Sequence, residues 1–200
     1  MDTGALVDIA TCHGGAAPVD PRSQKPIGDN PTTVDRFLQD APAVAALSAT
    51  MRIEAADWAQ YDAIFLPGGH GTMWDLPTSQ PLARLLANAY ENGRVVSAVC
   101  HGPAGLVNVR LSTGASLVQG LRVSAFTNAE EDAVGLTPVV PFLLETRLRE
   151  LGARYESGPN FAPFAVADGN LITGQNPASS EEVARLVIER VRANRAALVR

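Results

Sequence analysis

The chain has few of the features that mark nucleic-acid-binding, membrane-spanning or disulfide-rich proteins. Its net charge is −5, and its 16 basic residues form no stripe with interleaved aromatic side chains, so nucleic-acid binding is disfavoured. No apolar run approaches the roughly twenty residues of a membrane span, and no signal peptide is recognisable. Two cysteines, Cys12 and Cys100, are too few for a disulfide framework. These absences predict a cytoplasmic protein that acts on a small molecule, without nucleic-acid or membrane partners.

The residues that are present predict one α/β domain over residues 1–200. Nearly half of the chain, 46%, is apolar, which is enough for a substantial core. Apolar strand patterns alternate with helical patterns, which is typical of a mostly parallel sheet with helices on both faces. Strands are predicted at residues 6–10, 63–66 and 121–126, and helices at residues 33–39, 79–92, 105–109 and 142–151.

The C-terminal region carries two local signals. The pair Asp168-Gly169, with apolar residues on both sides, predicts an antiparallel hairpin. Ser179, followed three residues later by Glu182, has the pattern of a capping box. Apolar residues at helical spacing come next, so the chain is predicted to end in a helix that packs on the sheet.

The segment Ala98-Val99-Cys100-His101-Gly102-Pro103 is the strongest functional signal in the sequence. It follows an apolar strand, and a single nucleophile between a strand and a helix is typical of the nucleophile elbow of α/β enzymes. The N-terminus of the following helix is predicted to favour the thiolate of Cys100, since an unperturbed thiol has a pKa of about 8.5. The alternative is a buried structural cysteine beside an unrelated histidine.

A thiol nucleophile needs a base, a carboxylate that orients the base, and N–H donors for the oxyanion. His101 is the strongest candidate base because it adjoins the nucleophile. The carboxylate is expected in the cluster Glu130-Glu131-Asp132, which follows a predicted strand. Periodicity does not choose among these three, and such a trio is also typical of a solvated helix start. The backbone N–H groups of His101 and Gly69 are suitable oxyanion donors.

A glycine-rich turn, Pro67-Gly68-Gly69-His70-Gly71, ends another apolar strand. Glycine permits the backbone to approach a ligand closely, so Gly68, Gly69 and His70 are candidates for binding substrate or oxyanion. The other interpretation of His70 is a cap of the turn that faces water. Cys12-His13 imitates the Cys100 dipeptide, but a loop rich in glycine and proline follows it in place of a helix, so we do not expect it to be catalytic.

Four segments of the chain form a recognisable set: Phe65-Leu66-Pro67-Gly68-Gly69-His70-Gly71-Thr72-Met73-Trp74-Asp75, Ala98-Val99-Cys100-His101-Gly102-Pro103, Phe126-Thr127-Asn128 through Glu131, and Thr173-Gly174-Gln175-Asn176-Pro177-Ala178-Ser179. In this order they resemble the PfpI-like, class I glutamine amidotransferase-like superfamily. Over almost its entire length the chain is most similar to the branch of glutathione-independent glyoxalases (glyoxalase III) and heat-inducible chaperones. This resemblance implies a flavodoxin-like three-layer sandwich, a role in stress response and a homodimer.

The resemblance also implies a triad of Cys100, His101 and Glu131, which singles out Glu131 from its acidic neighbours. The implied reaction converts methylglyoxal, an α-oxoaldehyde, to lactate without glutathione, through a hemithioacetal on Cys100 and proton transfer by His101. No metal, nucleotide or other cofactor is expected, in keeping with a sequence that has no phosphate-binding loop or metal-ligand motif. No histidine follows His101, so the later His-x-Glu motif of glutamine amidotransferases is missing and glutamine hydrolysis is disfavoured.

The chain departs from this branch at its beginning. Members usually start with an additional strand and helix, and a Glu on that helix hydrogen-bonds the nucleophilic sulfur, whereas residues 1–10 match the second strand. We therefore expect that strand, helix and Glu to be missing, which would expose strand edges and remove a proton partner from the thiol. The alternatives to a glyoxalase are a non-catalytic holdase, a redox sensor that oxidises Cys100, and a cysteine peptidase.

Overall fold

The first part of the chain contains a short parallel strand pair and two helices. This computed structural model describes residues 3–198, beginning with β1 (Ala10–Thr11), α1 (Thr32–Gln39), α2 (Ala41–Ser48) and β2 (Met51–Arg52), and β1 pairs with β2. Asp40 caps α2 by accepting a hydrogen bond from the N–H of Ala43 at 3.1 Å. The helix predicted at 33–39 is confirmed. The strand predicted at 6–10 is wrong except at Ala10, because Leu6 is fully exposed and buries no apolar surface.

Internal contacts divide the chain into two units, one ending at Ala56 and the other beginning at Asp57. That they form the single domain expected from the sequence stays a prediction. Within residues 3–198, no helix is both long enough and apolar enough to cross a bilayer.

A four-stranded sheet lies at the centre of the second unit. Its strands, in spatial order, are β3 (Ala63–Leu66), β4 (Val95–Val99), β8 (Leu171–Gly174) and β7 (Ala165–Asp168). The first three are parallel, and β7 runs antiparallel to β8. Every residue of β4 is buried, as expected for a continuous apolar run covered on both faces.

The predicted hairpin is confirmed between β7 and β8. Asp168 pairs with Leu171, and the two residues of the loop are Gly169 and Asn170. Gly169 has a φ of +58°, a conformation that glycine adopts without steric cost. The sheet is therefore mostly parallel with one antiparallel edge strand, as the sequence predicts.

Helices cover both faces of this sheet. The α-helices described in this unit are α3 (Thr72–Asp75), α4 (Gln80–Glu91), α5 (Asn128–Ala133), α6 (Leu144–Glu150) and α7 (Ser180–Leu198), and of these α4 and α7 pack on the sheet. Val183 of α7 packs in one core cluster with Val95, Val99 and Ile172. The alternate residues of β4 face the other way and are equally buried, on the side where α4 contacts β3 and β4. The α/β class and the helices predicted at 79–92 and 142–151 are confirmed.

The strand predicted at 121–126 is shorter than expected. Only β5 (Arg122–Val123) is regular, and it pairs in parallel with β6 (Arg154–Tyr155). Beyond it, the N–H of Ser124 donates to the side-chain oxygen of Thr173 at 2.8 Å, and the N–H of Phe126 donates to the Cys100 carbonyl at 2.9 Å. The backbone groups are satisfied without a regular ladder, and the second of these bonds ties the chain to the elbow.

One prediction about a helix start is wrong. The capping box forms between Asn176 and Ser179, whose side chains and backbone exchange hydrogen bonds, whereas Glu182 pairs with Arg185. By contrast, the short helix predicted to start after the elbow and to be completed over residues 105–109 is present as a 3₁₀ helix at Gly102–Leu106, so only its end is wrong. It begins directly after the Cys-His dipeptide and is only five residues long.

Candidate active site

The chain makes a sharp turn where β4 ends. Cys100 has a φ of +61°, in the left-handed region that residues with a side chain rarely adopt. Backbone hydrogen bonds on both sides hold it there, because its N–H donates to the Gly174 carbonyl and its own carbonyl accepts from Phe126, both at 2.9 Å. Such strain is characteristic of a nucleophile elbow, and it presents the sulfur beyond the end of the strand.

Glycines allow the neighbouring loop to pack directly on this elbow. A Cβ atom at Gly68 would lie 2.6 Å from the Cβ of Cys100 and 3.1 Å from its sulfur. A Cβ atom at Gly102 would collide with the Leu66 carbonyl and lie 3.0 Å from the carbonyl oxygen of Pro67. Only hydrogen fits at both positions, so these glycines bring the loop after β3 against the nucleophile.

Three groups surround the sulfur of Cys100. Nδ1 of His101 lies 3.4 Å away, and the backbone N–H groups of Gly69 and His101 donate hydrogen bonds to the sulfur. These are the two N–H groups that the sequence suggested as oxyanion donors. Burial nevertheless raises the pKa of the thiol to about 11, outweighing both bonds. The expectation of a stabilised thiolate is therefore wrong, because desolvation outweighs the hydrogen bonds donated to the sulfur.

His101 lies between the sulfur and a carboxylate. Its Nε2 is 2.7 Å from Oε2 of Glu131, and both side chains are almost completely buried. Burial lowers the pKa of the imidazole, and the hydrogen bond to Glu131 opposes that shift without overcoming it. A neutral ring that donates from Nε2 to the carboxylate has its lone pair on Nδ1, facing the sulfur. The arrangement is that of a neutral thiol beside a neutral base.

The acidic cluster 130–132 is the start of a helix, but two of its three side chains are buried. Thr127 caps α5 in a capping box with Glu130, Glu131 turns toward His101, and Asp132 is exposed. The geometry therefore brings Glu131, and neither of its neighbours, to the imidazole. The interpretation as a solvated helix start holds only for Asp132.

Glu130 is the centre of a buried polar network that the sequence reasoning missed. Its carboxylate accepts hydrogen bonds from the backbone of Thr127 and Phe161 and from the side chains of Gln175 and Asn176, at 2.7 to 3.0 Å. Burial raises the pKa of this carboxyl, but the hydrogen bonds outweigh burial and leave the pKa lowered. The Thr-x-x-Glu spacing of a capping box was the signal that could have identified it.

His70 lies beside the same group. Its Nε2 is 2.9 Å from Oε1 of Glu131, and its ring centroid lies 4.0 Å from that of His101. Phe126 packs against both imidazoles, with centroid distances of 5.8 and 4.5 Å. His70 is thus a partner of Glu131, a placement that neither interpretation from the sequence included. The donor atoms of His70, His101 and Glu131 lie within 4.8 Å of one another, so among the residues that the structure describes these three could together hold a metal ion.

Cys12-His13 lies in the first unit, directly after β1. The N–H of Gly14 donates to the side-chain oxygen of Thr11 at 2.9 Å, so the chain turns there without starting a helix, as the sequence predicts. A cavity of about 360 Å³ in the second unit lies between Trp74, Val107 and Phe142. None of the predicted site residues lines it.

Comparison with known proteins agrees with these motifs. The model of the DJ-1/PfpI family matches residues 40–190. The chain belongs to the DJ-1/PfpI family. Among solved structures of similar proteins, glyoxalase III from Candida albicans matches 94% of this chain and 82% of its own length, with 31% identity and a TM-score of 0.85. The 24 kDa Rapid Encystment Protein of Francisella tularensis covers 96% and 84%, with 34% identity and a TM-score of 0.89. The predicted family and flavodoxin-like α/β fold are confirmed.

Several curated proteins that are similar to this chain are named as glyoxalases. Glyoxalase 3 of Candida albicans is 35% identical over 150 residues, which is 72% of this chain and 63% of that protein. The probable glutathione-independent glyoxalase hsp3103 of Schizosaccharomyces pombe is 39% identical over 137 residues, which is 64% of this chain and 52% of that protein. The matched region thus spans between half and two thirds of these relatives' lengths.

Proposed function

We propose that this protein is a glutathione-independent glyoxalase that converts methylglyoxal and related α-oxoaldehydes to 2-hydroxy acids, using Cys100, His101 and Glu131. The observation that carries the proposal is the continuous chain of contacts from the Cys100 sulfur through His101 to Glu131, at 3.4 and 2.7 Å. Relatives named glyoxalases support the choice of substrate class. The homodimer and the cytoplasmic location implied by the resemblance remain part of the proposal.

The first step is addition of the thiol to the aldehyde carbon. Because burial keeps the Cys100 thiol protonated, the proton passes to Nδ1 of His101 as the C–S bond forms. Glu131 stabilises the imidazolium, and the N–H groups of Gly69 and His101, now directed at the sulfur, lie beside the position where the oxyanion develops. The imidazolium then protonates that oxygen, which gives a hemithioacetal and returns His101 to its neutral form.

The second step is an internal proton shift. His101 removes the proton from the former aldehyde carbon and delivers it to the neighbouring carbon through an enediol, which leaves a thioester on Cys100. Water then adds to the thioester carbonyl, and the C–S bond breaks as the sulfur regains its proton. The net change is addition of one water molecule to methylglyoxal to give lactate. One carbon is oxidised and its neighbour reduced, so no external oxidant or reductant is required.

The test is methylglyoxal consumption with lactate formation in buffer free of glutathione. Cys100→Ala should lower the rate by at least about 10³-fold, because it removes the nucleophile. Cys12→Ala is the matched control and should retain the full rate, since Cys12 lies after β1 and outside the contact chain. Lactate formation that persists in Cys100→Ala would exclude the proposed covalent mechanism.

The redox-sensor alternative receives less support from this geometry. A thiol that senses oxidants has a low pKa and an accessible sulfur, whereas Cys100 is only 6% exposed and burial raises its pKa. A neutral thiol that transfers its proton directly to a neighbouring base fits addition to a carbonyl better. The same assay tests the holdase alternative, because a protein that acts only as a holdase would not convert methylglyoxal to lactate.

A further inference from the structure

The carboxylate of Glu131 is shared between two histidines. Oε2 lies 2.7 Å from Nε2 of His101, and Oε1 lies 2.9 Å from Nε2 of His70. Glu131 is 3% exposed, so both of its oxygens are engaged away from bulk water. A triad needs one imidazole on its carboxylate, and here a second one occupies the remaining oxygen.

The second histidine packs against the first. The two rings lie 4.0 Å apart between centroids at an angle of 41°, and Phe126 packs on both. His70 is placed by the glycine turn after β3, and the hydroxyl oxygen of Thr72, the first residue of α3, lies 2.7 Å from the carbonyl oxygen of Gly69 and 3.2 Å from that of His101. The side chain of His70 is 30% exposed, so it is the member of the pair nearer to solvent.

We propose that His70 is a positioning residue of this site, which fixes the orientation of Glu131 and shares its negative charge, so that His101 remains a neutral base. This inference rests on the glyoxalase function proposed above. With Nε2–H donated to Oε1, His70 prevents the carboxylate from rotating away from His101. The hydrogen bond from His70 also occupies Oε1 of Glu131, an oxygen that would otherwise help to stabilise a proton on His101.

The electrostatics around His101 give the sign of the effect. The ionisable groups that face it are Cys100, His70, Glu130 and Glu131. Burial lowers the pKa of His101, both carboxylates raise it, and positive charge on His70 lowers it. Removal of His70 takes away the opposing charge and leaves the whole carboxylate to His101. The imidazolium form of His101 should then persist to higher pH, where it cannot accept the thiol proton.

Two variants separate positioning from packing. His70→Ala removes both the hydrogen bond and the imidazole ring, so kcat should fall between about tenfold and a hundredfold, with the acid limb of the kcat profile moved to higher pH. His70→Gln places an amide N–H near the same carboxylate oxygen, and should recover most of kcat while moving the acid limb by less. KM should change by less than about twofold in both variants, because His70 acts through Glu131 and not on the substrate.

Nitrogen-15 NMR of the histidine rings measures the effect without turnover. The chain has three histidines, so His13→Gln and the His70 variants assign all the signals, and His13 serves as an internal reference. The titration midpoint of His101 should rise in His70→Ala, and by a smaller amount in His70→Gln. If the midpoint rises in a protein without glyoxalase activity, the positioning role stands and the proposed function fails. An unchanged midpoint in either folded variant, or a rise in KM alone, would overturn the positioning role.

Discussion

Two adjacent glutamates have opposite environments at this site. Glu131 accepts from two imidazoles, whereas every partner of Glu130 is a fixed N–H or O–H donor of the surrounding loops. A carboxylate that contacts titratable rings stabilises a charge that appears during a reaction. A carboxylate that contacts fixed amides and a hydroxyl holds the loops together at all times. The two side chains therefore predict different consequences of the same chemical change.

Glu131→Gln should inactivate the enzyme and leave it folded. An amide in place of the carboxylate no longer stabilises the imidazolium, so kcat should fall by about 10² to 10⁴-fold, while the free energy of unfolding changes by no more than about 1 kcal/mol. The matched change Glu130→Gln should lower the free energy of unfolding by roughly 3 kcal/mol, because an amide NH₂ would face donors in a buried site. Its kcat should stay within about tenfold of the original value.

Lactate assays and urea denaturation of both variants check this pair of expectations. The assignment of roles is reversed if Glu130→Gln loses turnover at unchanged stability, or if Glu131→Gln retains full activity.

At the scale of elements, the position of Cys100 in the elbow depends on how closely the glycine-rich loop packs against it. Gly68 and Gly71 lie three residues apart, but a Cβ at Gly68 would overlap the nucleophile and one at Gly71 would meet nothing within 4 Å. Neither position needs a positive φ. Gly68→Ala should therefore displace Cys100 and lower kcat by about 10²-fold, a cost typical of a 1 Å misplacement. Gly71→Ala should keep the original kcat.

The measurement is kcat for both variants, together with far-ultraviolet circular dichroism to confirm folding. Equal activity of the two alanine variants would show that the loop is not in close contact with the nucleophile in solution.

Helices and strands were predictable where an apolar burial pattern coincided with a local capping or turn signal. The helix after Ser79 and the hairpin at Asp168-Gly169 have both, and both are confirmed. Leu6–Ala10 is mostly apolar, but only Ala10 pairs with a neighbouring strand and Leu6 is fully exposed, so the prediction failed over most of the segment. The segment 124–126 satisfies its backbone with Thr173 and Cys100 through contacts distant in sequence, which no local pattern encodes.

The site was predictable in its members and less so in its energetics. The Cys-His dipeptide and the glycine turn were predicted from their residue types. Spacing did not choose among the three acidic residues at 130–132, and Glu131 was selected by the family resemblance. The pKa of Cys100 was predicted with the wrong sign, because a helix start is visible in sequence and the desolvation of a sulfur is not. The placement of His70 on Glu131 depends on how the loop after β3 and helix α5 meet, which a single sequence does not specify.

For the whole molecule, the buried groups set the pH range of maximal stability. The imidazole of His101 has the ordinary histidine pKa of 6.5 in the unfolded chain and a lowered pKa in the native protein. As the pH drops below 6.5, the unfolded chain therefore binds a proton that the native protein does not, and the free energy of unfolding falls. Glu130, whose native pKa lies below the ordinary 4.5, adds a further loss in stronger acid. Glu130→Gln should lack this second loss. The difference in the free energy of unfolding between Glu130→Gln and the original protein should therefore shrink between pH 5 and pH 3, roughly the range in which carboxyl groups titrate.

The alkaline limit of stability should come largely from the nucleophile itself. The unfolded thiol ionises near 9.0, whereas burial holds native Cys100 protonated up to about 11, so the native state binds more protons in between and stability falls as pH rises through that interval. The expected loss from Cys100 is roughly 1 kcal/mol between pH 8 and pH 10. Tyr155, whose pKa burial also raises, adds to the loss at higher pH. Urea denaturation at pH 8 and pH 10 should show this decrease in the original protein and in Cys12→Ala, and a smaller one in Cys100→Ala. Parallel decreases in all three proteins would mean that Cys100 titrates in the native state as it does in the unfolded chain.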